Sequence, residues 1–157
     1  MDITKKLIKY NYSSRNGSTI EYIVVHDTGN KRIGAGANNH YLYFNGANRN
    51  ASAHYFIDSK EIIQTVEDSF ASWHCGDGRG KYGITNRNSI GVEICINEDG
   101  DFNIAKDNCI LLIRLLMKKY NIPKDNVVRH FDASRKHCPR SMSEVGWKEW
   151  TKFYLNI

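Results

Sequence analysis

Two short β-branched runs, far apart in the chain, each end in histidine: Ile23-Val24-Val25-His26 and Val127-Val128-Arg129-His130. The longer stretch Ile20 to His26 shows little polar alternation, as expected of a strand buried on both faces, and such strands belong to sheets covered by helices on each side. The segments between them take turns. Helical spacing marks Ala35 to Tyr43, Ile104 to Tyr120 and Ser143 to Tyr154, the second with Asn103 as candidate cap and a stop ahead of Pro123, the third with Trp147 and Trp150 inward. Strand patterning marks His54 to Asp58, Ile62 to Val66 and Ser89 to Ile96, the first two separated by Ser59-Lys60-Glu61 as in a hairpin. Interleaving of this kind predicts an α/β fold, a central mixed β-sheet flanked by α-helices.

The chain has 157 residues, which fits a single domain over residues 1–157 with its core in about 20–154. Its longest apolar stretch, Cys109 to Met117, contains Arg114 and is about half the roughly 20 residues a membrane-spanning helix needs, so membrane insertion is not expected. The first residues carry charge but no apolar signal region, from which synthesis in a cytoplasm without a signal peptide is expected. A formal charge of +5 favours polyanionic partners, whether nucleic acid, anionic lipid or anionic wall polymer. The basic residues are scattered, so no nucleic-acid recognition stripe is visible. Four cysteines without a CxxC read as thiols, core residues or a metal ligand rather than a disulfide framework.

If the two histidine-ended strands run in the same direction, their ends share one rim of the sheet, where open α/β folds place ligands. Cys138 follows His130 after a loop long enough to turn back to that rim. Two imidazoles and a thiolate make a three-ligand zinc site with a fourth position left for water, the arrangement of a catalytic centre. Such an ion activates water and polarises a carbonyl, and a stable amide is its natural target. Glu93, a charge inside the apolar string SIGVEICI, is costly to bury unless used, although an edge strand could turn it to solvent. Lys136 lies near the metal if Cys138 binds it; alone it would be a solvated charge. His40 and His137 stay unassigned, and Cys75, Cys95 and Cys109 read as core or loop residues.

The strings IVVHDTGN, SAHYFID, NRNSIGVEI and VVRHFDASRKHCP, in this order, resemble the type-2 N-acetylmuramoyl-L-alanine amidases, a family of phage endolysins, bacterial autolysins and peptidoglycan recognition proteins. The likeness spans about Ile20 to Trp150. It implies one catalytic zinc held by His26, His130 and Cys138, Glu93 as acid/base, Lys136 as oxyanion stabiliser and His74 near the substrate. It implies cleavage of the amide between the lactyl group of N-acetylmuramic acid and L-alanine in bacterial peptidoglycan. Some phage members carry Tyr before the histidine of the SAHY-like string; this chain has Ala53, which shifts the acid/base burden to Glu93. A monomeric endolysin catalytic domain, acting on the wall after release and lacking a separate cell-wall-binding domain, is the expectation. No nucleic-acid partner is expected. The alternative is a non-catalytic muropeptide receptor of the same fold, and retention of Cys138 counts against it.

Overall fold

The computed structural model of the chain describes residues 2–157; Met1, with which the expected domain begins, lies outside them. Six strands form one mixed sheet: β1 (Ile3–Lys5), β3 (Tyr22–Asp27), β4 (Tyr55–Ile57), β5 (Ile62–Gln64), β7 (Ser89–Ile94) and β8 (Val127–Arg129), in the order β1-β5-β4-β7-β3-β8. Strands β4, β7, β3 and β8 are parallel, while β5 is antiparallel to β4 and β1 parallel to β5. Two further strands, β2 (Tyr12–Ser14) and β6 (Phe70–Ser72), pair antiparallel in a separate ribbon. The sequence patterning missed β1, β2 and β6. Each is three residues long, and β1 and β2 have every residue exposed, so neither carries a run of buried positions.

The period of two along the strands separates the faces. Ile23 and Val25 of β3, Tyr55 and Ile57 of β4, and Ile90, Val92 and Ile94 of β7 pack in one core with Ala105, Cys109, Leu112, Ile113 and Leu116 of α2 (Phe102–Tyr120) and Trp150 and Phe153 of α4 (Glu144–Leu155). Phe56 and Ile63 face the other way, against α1 (Ala37–Gly46), and Val24 meets Ala133 of the short helix α3 (His130–Ser134). Burying each such aliphatic side chain contributes about 1.5–3 kcal/mol. The residues of β3, β7 and β4 that are not spent on the α2 side are free to build the opposite face.

Several expected boundaries shift for identifiable reasons. α2 begins at Phe102 and its cap is Asp101 rather than Asn103: the Asp101 carboxylate accepts from the backbone N–H groups of Asn103 and Ile104 at 2.9 and 3.1 Å. Strand β8 ends at Arg129, and His130 opens α3 instead of closing a strand, because the Asp132 carboxylate accepts the Arg129 backbone N–H at 2.9 Å and its guanidinium at 2.7 Å and turns the chain. The β4–β5 hairpin lacks Asn-Gly, and Asp58 takes over the turn by accepting from Lys60 and Glu61 N–H at 2.7 and 2.9 Å. Its other oxygen caps α1 through Ala37 N–H at 2.8 Å, an approach open only because Gly36 has no Cβ, which would lie 2.6 Å from it. In α4 the residues Val145, Gly146 and Trp147 are left-handed, so the regular helix starts after them; Trp150 is buried as expected, whereas Trp147 is half-buried under the Arg129 guanidinium at 4.4 Å. No helix among the described residues is long and apolar enough to cross a membrane.

Candidate metal centre and catalytic cleft

Parallel pairing of β3 with β8 sets Val25 opposite Arg129, so the residues that follow, His26 still within β3 and His130 at the start of α3, lie side by side with ring centroids 4.5 Å apart. On the other flank of β3, the register places His26 directly opposite Glu93. Glu93 thus stands in a central strand between β3 and β4, and the edge-strand, solvent-facing alternative does not hold. Cys138 returns from the loop after α3, its carbonyl accepting the Phe131 N–H at 3.0 Å. The next turn is tied down by Asp27, whose carboxylate accepts the Ser141 N–H at 2.6 Å. One ligand atom from each of His26, His130 and Cys138 lies within 4.8 Å of the other two, and all three residues are buried.

Which atoms converge follows from where the others are spent. Nε2 of His26 lies 3.1 Å from Nδ1 of His74, and Nε2 of His130 lies 2.8 Å from Asp77 Oδ1. Both rings therefore turn Nδ1 inward: that of His26 is 3.8 Å from Cys138 Sγ and 4.0 Å from Glu93 Oε1, and that of His130 is buried with no partner. Glu93 Oε2 is likewise buried and unpaired. Orphaned buried polar atoms are rare enough to require a reason. Two imidazole nitrogens and a sulfur lie close together, the His130 Nδ1 unpartnered and the His26 Nδ1 meeting only the Cys138 sulfur and Glu93; they match the donor set that zinc prefers, and the residues present fit such an ion.

The electrostatics agree with that use. Burial, reinforced by His130, His74 and Lys136, holds the His26 imidazole well below its ordinary value, so it stays neutral. Burial also lowers His130, against the opposing pull of Asp77. Burial and the nearby Asp27 carboxylate push Glu93 well above the usual carboxylate range, with the Lys136 ammonium acting against them. The Cys138 thiol is raised by burial and by Glu93, a penalty that a cation beside the sulfur would reverse. Lys136 is exposed, yet its charge is felt by His26, His130, Glu93 and Cys138.

These groups line a cleft of about 1050 Å³ whose walls include Lys31, Trp73, His74, Phe102 and Arg140. His74 sits at its edge with both nitrogens committed to protein, Nδ1 to His26 and Nε2 to the Ser89 hydroxyl at 3.0 Å. Asp77, Asp27 and Ser89 were not singled out in the sequence. Asp77 could have been found as the one acidic residue of the glycine-rich loop WHCGDGRGKYG; Asp27 offered only adjacency to His26, and Ser89 only its place four residues before Glu93 in the same strand string.

Residues 16–141 match the family described as N-acetylmuramoyl-L-alanine amidase. The chain is 40% identical over 157 residues to the N-acetylmuramoyl-L-alanine amidase CwlH of Bacillus subtilis (strain 168), covering 99% of this chain and 60% of that one. It is 41% identical over 136 residues to XlyA of the same organism, covering 87% of this chain and 43% of the relative. The chain thus spans 60% or less of the length of these relatives. The solved structure of the catalytic domain of XlyA superposes with a TM-score of 0.88 at 38% identity, covering 100% of this chain and 99% of that one. The chain belongs to the N-acetylmuramoyl-L-alanine amidase family.

Proposed function

We propose that this protein is a zinc-dependent N-acetylmuramoyl-L-alanine amidase, working as one catalytic unit on bacterial peptidoglycan and cutting the amide between the lactyl group of N-acetylmuramic acid and L-alanine. The observation that carries the reading is the meeting of His26, His130 and Cys138 beside Glu93 on the floor of one cleft. Zinc held by the two Nδ1 atoms and the Cys138 sulfur would supply Lewis acidity toward a carbonyl and lower the pKa of a water.

Glu93 is placed to act as base and then acid. Its Oε1 faces the ligand side of His26, and a carboxylate with a raised pKa is a stronger base than an exposed one. It takes the proton from the attacking water and returns it to the alanine nitrogen as the C–N bond breaks. Lys136, an ammonium at the cleft wall, stabilises the negative charge that develops on the lactyl oxygen. Burial keeps His26 neutral, so its lone pair stays available. The positive net charge favours approach to an anionic wall, where the enzyme would act after release from the cell.

Digestion of purified peptidoglycan with and without chelator, with products identified by mass, tests this reading. The expected outcome is release of stem peptides with free L-alanine amino termini, lost on chelation and restored by zinc. Retention of muropeptide without cleavage would instead identify a receptor.

A further inference from the structure

At the ring nitrogen of His26 opposite the ligand side, the hydrogen bonds run in one direction only. The Ser89 hydroxyl donates to the carbonyl of Thr85, so its oxygen is left to accept, and the group facing it at 3.0 Å is Nε2 of His74. That nitrogen must carry the proton of the His74 ring, which makes Nδ1 of His74 a bare acceptor. It lies 3.1 Å from Nε2 of His26, which in turn must carry its own ring's proton. What remains is a lone pair on Nδ1 of His26, on the side of Cys138 Sγ. The carbonyl of Thr85 thus decides, through a hydroxyl and a second imidazole, which nitrogen of His26 is free.

Alternation along β7 supports this chain of bonds, since Ser89, Gly91 and Glu93 share one face of the strand. Ser89 anchors the His74 ring. Gly91 leaves room for it, because a Cβ there would lie 2.5 Å from His74 Cγ. Glu93 reaches the cleft. One face of one strand therefore seats the ring that holds His26 and presents the carboxylate that faces it.

We propose that His74, anchored by Ser89, is a positioning residue that fixes the tautomer and ring orientation of His26 for metal binding, rather than a contact to substrate. The inference rests on the zinc reading above and adds a role for His74 within it. Outer-shell partners of metal-bound histidines are generally worth 10–100-fold in metal affinity.

The test uses the metal-free protein, with the tautomer of His26 read by long-range nitrogen-15 NMR at neutral pH. Zinc affinity is read by competition with a chelating dye, and apo stability by thermal melting. In the wild type, His26 is expected to be protonated on Nε2. His74→Phe keeps the ring volume but offers no acceptor; it should yield a tautomer mixture and weaken zinc binding by about 10–100-fold. His74→Asn, whose side-chain oxygen stands where Nδ1 stood, should retain the wild-type tautomer and most of the affinity. Ser89→Ala should move both readouts in the direction of His74→Phe. A wild-type His26 protonated on Nδ1 overturns the proposal, whichever variants fold. So does a folded His74→Phe protein with unchanged zinc affinity, and a change confined to KM on walls would make His74 a substrate contact. A wild type that binds no zinc would defeat the metal reading instead, while the NMR result would still judge the relay.

Discussion

His54 and the pair His26/His130 are all buried histidines near the same sheet, yet they are wired in opposite ways. At His54, Nδ1 accepts from the Gly91 N–H at 3.0 Å and lies 2.7 Å from the Ser72 hydroxyl, while Nε2 donates to the Phe70 carbonyl at 3.0 Å. Both nitrogens are spent. The guanidinium of Arg15 lies 3.0 Å from Nε2 and is itself held by the carbonyls of Asp68, Arg87 and Ser89. At His26 and His130 one nitrogen is secured, by His74 or by Asp77, and the other is left facing the cleft. Burial does not distinguish a structural from a functional imidazole here, since His54, His26 and His130 are 0%, 2% and 2% exposed. The count of uncommitted nitrogens does.

That contrast predicts rate effects at the rim and stability effects in the interior. The largest change is expected from Glu93→Ala, which should lower turnover on walls by about 10²–10⁴, or roughly 3–5 kcal/mol of barrier, with zinc content unchanged. Near-normal turnover would remove Glu93 from the chemistry. His54→Leu should do the reverse. It strands the Phe70 carbonyl and the Gly91 N–H, destabilising the fold by roughly 2–4 kcal/mol in urea titrations, while the folded fraction keeps its metal.

Acid should find the interior site as well. Burial holds His54 at about 4 against an ordinary 6.5, with the Phe70 carbonyl opposing and Arg15 assisting. Above pH 6.5 neither folded nor unfolded His54 is charged, so it adds no pH dependence. As pH falls from 6.5 to 4 the unfolded chain binds a proton that the folded one refuses, so stability drops by up to about 3 kcal/mol. Urea titrations of metal-free protein across that interval should show a shallower decline for His54→Gln than for the wild type. Equal slopes would mean that His54 does not carry the acid sensitivity.

The smallest effect sharpens the rim side. Asp77→Asn keeps an oxygen that can accept from His130 Nε2 but removes the negative charge. A loss of zinc affinity within about tenfold is expected, measured by dye competition, with folding stability within about 0.5 kcal/mol of wild type at this half-exposed position. A loss of folding larger than the loss of zinc would place Asp77 with His54 rather than with the centre.

The amino-acid sequence alone determined a good deal: the interleaved α/β class, the strands that carry His26, Glu93 and Val127 to Arg129, the long helix α2, and the strings that resemble the amidase family. Each is a local signal, either a run of apolar residues whose burial must be satisfied or a string of residue types read in order. The cap of α2, the short strands β1, β2 and β6, and the helical start at His130 depend on partners elsewhere in the chain or within a few polar atoms, and spacing does not reveal them. Only the tertiary structure decided that Glu93 is central rather than peripheral, that both rim histidines turn Nδ1 toward the Cys138 side of the cleft, and that His54, equally prominent in its string, is closed off. The physical reason is that a hydrogen bond or a bare lone pair is a property of two or more residues brought together by the sheet register, whereas a sequence motif specifies residues one at a time.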